Sequence, residues 1–280
     1  VNNKIIVGKT VHNILCALEN EMRPIHYIEA FDRFAVFERK IEYSEKTKRR
    51  EKLRQMFSET NREIFVHDGY LFRHDWLNMD VACDSLFRPD VFAEPLNEIQ
   101  IGECLYECGR RHDYMIGKFR NKNSKTTVEK RKVAALIERS VSEYFLKRWP
   151  HLYIEPSNKH DYTRYAPDDF SLFINGKKLI FDVKTFTREF STVLTKSKNN
   201  EHIVYLFAEW NHPKAKLVGY FHSKDVFILN DLPRFSSTAY QLGYDQLLPI
   251  NRLIVAINAM SSGVDFGGAE RSFNNKLAVA

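Results

Sequence analysis

The sequence predicts an α/β fold, a central mixed sheet flanked by helices, preceded by an N-terminal α+β region. Three observations carry this expectation. From residue 126 to about 149 the apolar residues Val133, Ala134, Ile137, Val141, Tyr144, Phe145 and Leu146 recur at helical spacing. Two apolar runs then meet at Asn175-Gly176, the strongest short-range hairpin signal, because both turn positions want positive φ. Two further apolar strands follow, at 203–210 and 216–222. With a short strand at 152–154 and a helix near 188–196, the order from 126 to 222 is helix, strand, hairpin, helix, strand, which is an α/β arrangement with the hairpin at its centre.

Ahead of this lies a less regular region. Residues 10–40 read as a helix followed by an aromatic-rich strand, and residues 44–60 as a charged helix. Residues 64–76 alternate on both sides of Asp68-Gly69 and predict a second hairpin. Residues 95–118 read as helix, and the polar, basic stretch 119–132 marks the boundary. This gives an N-terminal region, residues 1–120, for recognition or dimerisation, and a core with a C-terminal extension, residues 121–280. At the C-terminal end a polar loop, 261–268, separates the apolar segment 253–259 from the tail.

Composition narrows the function classes. A chain of 280 residues can bury a real core. No run of 18 apolar residues is present, so no transmembrane helix is expected. The first residues do not read as a signal peptide, and Cys16, Cys83, Cys104 and Cys108 fit a reducing compartment better than a disulfide framework. The expected location is intracellular. A formal net charge of +6 is compatible with a polyanionic partner but does not identify one.

The hairpin carries the chemistry. With Asn175-Gly176 as a two-residue loop, 174 faces 177, 172 faces 179, 170 faces 181 and 169 faces 182. Phe170, Leu172, Leu179, Phe181 and Val183 then share a core face, and Asp169, Ser171, Phe173, Lys178, Ile180, Asp182 and Lys184 share the other. Asp169 and Asp182 stand directly opposite, their Cβ atoms roughly 5 Å apart. Like charges so placed repel, and a bound divalent cation accounts for the pair, since Mg²⁺ is held by one or two carboxylates together with water and phosphate oxygens. Lys184 points the same way as Asp182 and can orient an attacking water or stabilise charge on a phosphate. Asp168 follows Pro167 but lies opposite Val183 on the core face, so Asp169 is the preferred ligand; a bulge near the strand start would reverse that choice.

These residues resemble the PD-(D/E)xK nuclease superfamily. Locally they are most similar to type II restriction endonucleases of the EcoRV kind, through Asp169-Phe-Ser-Leu-Phe and Ile180-Phe-Asp-Val-Lys-Thr185. Ile154-Glu155-Pro156 and Leu217-Val-Gly-Tyr-Phe221 look similar in place and character. The resemblance covers about residues 130–225. It implies a restriction-endonuclease-like core and Mg²⁺- or Mn²⁺-dependent phosphodiester hydrolysis, with Asp169 and Asp182 as metal ligands and Lys184 at the water. It also implies a glutamate from the preceding helix. Glu138, flanked by apolar residues, is preferred for that role over Glu143.

Other features are weaker. Cys104, Cys108 and His112 share a helix face, but zinc needs four ligands, and buried thiols in a helical core are the plainer reading. The basic residues of 44–54 and of 118–132, Lys130 and Arg131 among them, could neutralise phosphates, as could Lys196 and Lys198 after the metal strand.

The expected function is a metal-dependent endonuclease, with DNA preferred over RNA as substrate and a homodimer to cut both strands. Alternatives within the superfamily are a junction-resolving or recombination nuclease and an RNA endonuclease. The alternative of another class is a non-catalytic nucleic-acid-binding protein on a degenerate nuclease fold.

Overall fold

A computed structural model describes residues 6–37, 63–78, 90–119, 125–156, 169–186, 192–195, 203–223, 234–236, 239–242 and 244–279. In chain order the elements are α1 (Val7–Glu21), β1 (Ile25–His26), α2 (Tyr27–Phe34), β2 (Ile64–His67), β3 (Tyr70–Arg73), the single turn α3 (His74–Leu77), β4 (Val91–Phe92), α4 (Glu98–Phe119) and α5 (Lys125–Arg148). Then come β5 (Tyr153–Pro156), β6 (Phe170–Ile174), β7 (Lys177–Thr185), β8 (Thr192–Thr195), β9 (Ile203–Asn211), β10 (Lys214–His222), β11 (Arg234–Ser236), β12 (Ala239–Leu242), α6 (Ile250–Ser261) and α7 (Phe266–Val279). The chain divides into two units, Val1–Phe87 with Asn251–Ala280, and Arg88–Ile250. The boundary expected at 120 falls inside the second unit, and α7 with nearly all of α6 belongs to the first.

The first unit is built on a small antiparallel sheet in the order β1-β3-β2. Its hairpin turns at Asp68-Gly69, where φ is 49° and 80°, as the sequence predicts. Ile14, Leu18, Ile25, Leu71 and Phe72 pack with Val255, Ala259, Phe266 and Phe273 in one core. Asn258 Nδ2 donates to the carbonyl of Met22 at 2.7 Å, just where α1 ends in a left-handed residue. The aromatic segment expected as a strand is instead α2. Tyr27, Phe31 and Phe34 recur at helical spacing, Ala30 and Phe31 are buried, and His26 Nδ1 accepts from the Ile28 amide at 3.3 Å as an N-cap. The charged helix expected at 44–60 lies outside the described residues.

The second unit is mixed α/β. Its larger sheet has six strands in the order β4-β10-β9-β7-β6-β5, with β7 and β9 parallel and every other neighbouring pair antiparallel. The amphipathic pattern of α5 places it across β7, β9 and β10. There the Phe145 ring lies 5.0 Å from Phe170 and 5.1 Å from Phe181, which stack on each other at 4.9 Å. Helix α4 packs on the outer side of α5, and Cys104 Sγ donates to the Ala135 carbonyl at 3.4 Å. The opposite sheet face carries a second cluster, Phe186, Ile203, Tyr205, Phe207, Val218, Phe221, Leu242 and Leu247. The helix expected near 188–196 is not what forms: Thr192–Thr195 is strand β8, paired with β12 in a second sheet of order β11-β12-β8. No helix of the described residues is long and apolar enough to cross a membrane.

Candidate active site

The β6–β7 hairpin has the register its turn dictates. Asn175 and Gly176 adopt φ of 48° and 76°, and Ile174 pairs Lys177, Leu172 pairs Leu179 and Phe170 pairs Phe181. Phe170, Leu172, Phe181 and Val183 are buried, as expected of the core face beneath α5. The other face of the hairpin is also covered near its open end, where Ser171 and Asp182 are buried.

Asp182 is only 4% exposed. A buried carboxylate is costly unless it is paired and hydrogen-bonded. Lys184, two residues on and on the same face, puts its Nζ 2.7 Å from Asp182 Oδ1. Both side chains lie over the parallel β7–β9 ladder, where Asp182 pairs Tyr205 and Lys184 pairs Phe207.

Asp169 sits one residue ahead of β6. Its amide donates to the carbonyl of Phe181 at 2.8 Å, although Phe181 is the register partner of Phe170. Two residues of one strand thus face one of the other, the arrangement of a β-bulge. A bulge here is expected to reverse the choice in favour of Asp168, which lies outside the described residues; it is nevertheless the Asp169 side chain that turns toward β7, where its Oδ2 accepts from the Val183 amide at 2.6 Å. In a regular ladder a main-chain carbonyl would fill that place. The Asp169 carboxylate is therefore held at the Asp182–Val183 peptide bond, next to the buried Asp182.

The other predicted residues are placed as follows. Asp168, Lys196 and Lys198 lie outside the described residues. Glu138 and Glu143 are on α5, which covers the face opposite Asp182. Glu143 pairs with Arg139 at 2.8 Å, one helical turn away. Glu138 lies near α4: burial pushes the Cys108 thiol's pKa up, Arg111 and Arg131 oppose this, and Glu138 adds to it. Lys130 and Arg131 are on the first half of α5. Among the described residues no three His, Cys, Asp or Glu side chains gather as a metal-holding group, so neither Glu138 with the two aspartates nor a Cys104/Cys108 zinc set is assembled.

The Val183 amide is the functional group that alternation alone does not find. Asp169 and Asp182 could offer a metal two carboxylates, one anchored by a main-chain N–H and the other by an ammonium. Hard oxygen donors of this kind fit Mg²⁺ or Mn²⁺ better than softer metals.

Comparison of the chain with protein-family models, with curated proteins and with solved structures finds no match.

Proposed function

We propose that this chain is an intracellular, metal-dependent endonuclease that hydrolyses phosphodiester bonds of DNA, with its active site at the bulged end of the β6–β7 hairpin. One observation carries the reading. Asp169 is held at the Asp182–Val183 peptide by a 2.6 Å hydrogen bond, and the Lys184 ammonium lies 2.7 Å from Asp182. Asp169 is thus anchored on the residue between Asp182 and Lys184, which supports a site built from these three, and the restriction-type nuclease core that the sequence resembles is the corresponding fold reading.

Asp169 and Asp182 would hold Mg²⁺ or Mn²⁺, which when bound lowers the pKa of water and neutralises charge at phosphorus. The protein's own part is orientation and charge. The Val183 amide fixes one carboxylate and Lys184 the other, so neither must reorganise when substrate arrives. Lys184 is the more exposed member of its pair, 28% against 5%, and can turn a donor toward an attacking water or a phosphoryl oxygen while remaining beside Asp182. A water would attack phosphorus in line with the leaving sugar oxygen; as the new P–O bond forms the one to the sugar breaks, the water gives up a proton to solvent and the leaving oxygen takes one from it. A homodimer would bring two such sites to a duplex.

The test is cleavage of supercoiled plasmid, branched DNA and single-stranded RNA with Mg²⁺ or EDTA, alongside Asp182→Ala and Lys184→Ala. Metal-dependent plasmid fragments lost in both variants are expected. Cleavage confined to branches or RNA would change the substrate and keep the site. Binding with no cleavage of any substrate would instead support the non-catalytic reading, in which Lys184 and Asp182 are a structural ion pair.

A further inference from the structure

Helix α4 packs one side on α5 and leaves a continuous outer stripe exposed: Ile99, Gly102, Glu103, Tyr106, Gly109, Arg110 and Asp113. The spacing alternates three and four residues, the repeat of a helix seam that meets another helix. Two large side chains on this stripe are the most exposed apolar groups of the described chain, Ile99 at 73% and Tyr106 at 68%. A Cβ added at Gly102 or Gly109 would meet nothing within 4 Å, so the surface on either side of Tyr106 is open. Glycines at such positions let a second helix backbone come close.

Charge says which second helix fits. The first half of α4 carries Glu98, Glu103 and Glu107 and no Lys or Arg, while the second half carries Arg110, Arg111 and Lys118 against a single acid, Asp113. Such a helix repels a parallel copy of itself and attracts an antiparallel one. The helix's own dipole favours acidic residues in the first turn and basic ones in the last. It does not account for Glu103 and Arg110, which lie well inside α4.

We infer that α4 is a self-association surface on which a second copy of this chain docks antiparallel, Tyr106 near the two-fold axis. Glu103 of each copy then faces Arg110 of the other, and Gly102 and Gly109 form the close crossing. An ion pair at such an exposed position within one chain is worth little, so it exchanges readily for a pair across the contact. The surface needs no nuclease activity, and its test is independent of the proposed function.

Sedimentation of the full chain over a range of concentrations is the experiment, with circular dichroism to verify that each surface variant keeps its helix content. A monomer–dimer equilibrium is expected. Glu103→Arg or Arg110→Glu alone should weaken it by about tenfold or more, the scale of a close charge pair across an interface, and Tyr106→Glu should abolish it. Combining Glu103→Arg with Arg110→Glu should restore the dimer. A monomer at every concentration, a dimer indifferent to these changes, or a double variant no better than the single ones would each overturn the inference.

Discussion

Asp169 Oδ2 accepts a hydrogen bond from the Val183 amide at 2.6 Å, a side chain standing where the ladder of a regular hairpin would offer a carbonyl. This splits the residue's structural and chemical roles, and two substitutions separate them. Asn keeps an oxygen acceptor for the amide and loses the charge. Asp169→Asn should leave thermal stability nearly unchanged and lower the proposed metal-dependent cleavage by about a hundredfold or more, the scale of losing one preorganised electrostatic group. Asp169→Ala should lose the same activity and also destabilise by about 1–3 kcal/mol, because the Val183 N–H is left unsatisfied. Equal stability losses for Asn and Ala in a urea titration would sink the assignment.

Lys184 is the cation paired with a carboxylate that is only 4% exposed. Removing it takes away the cation that offsets a buried charge, whereas removing Asp182 leaves an ammonium that can reach water. Lys184→Ala should therefore destabilise by about 1–3 kcal/mol, and more than Asp182→Asn does. The double variant should be more stable than Lys184→Ala alone. A double-mutant cycle read by urea unfolding measures this directly, and additive losses would rule the pairing out as a structural contribution.

The parts of this fold that were legible are those fixed locally. Asn175-Gly176 and Asp68-Gly69 demand positive φ, so each sets its turn, its register and the facing of every residue out to the strand ends. The α5 stripe was legible for the same reason, since its apolar spacing is short-range. What escaped depends on contacts distant in sequence. Strand β8 is a strand because β12 pairs with it, and α6 joins the N-terminal unit through contacts such as Asn258 to Met22. The aromatic residues of α2 suited strand propensity, but their spacing places them on one helix face and burial of Phe31 decided it. At the site, alternation put Asp169 beside Asp182 but could not show the bulge that turns its carboxylate onto a main-chain amide.

Gly219 stands in β10 where the register with β9 slips between Leu217 and Gly219. A Cβ there would lie 2.7 Å from the Leu248 carbonyl oxygen and 2.9 Å from Leu247 Cβ. The first obstacle is backbone, tied by paired 2.9 Å hydrogen bonds between Tyr220 and Leu248, so it cannot swing aside. Gly219→Ala should destabilise by about 1–3 kcal/mol through overpacking. Alanine at Gly8, in the first turn of α1, which meets open space, is the control and should be neutral or slightly stabilising in a helix. Matching melting temperatures for the two variants would contradict the close approach.

His74 begins the single turn after β3, with its ring centroid 5.0 Å from that of Phe273 and 6.4 Å from that of Phe65. Burial pushes its pKa below the ordinary 6.5, and the opposing pull of Asp75 does not restore it. The folded chain therefore takes up this proton at lower pH than the unfolded chain does. Between the two pKa values the unfolded state binds more protons, so stability is intact above about pH 6.5 and falls as pH drops toward the folded value. Urea unfolding at about pH 7.5 and about pH 5.5 should show this loss. His74→Phe, which keeps the ring packing and cannot titrate, should shrink it. An acid loss of the same size in the variant would assign the pH dependence to other groups.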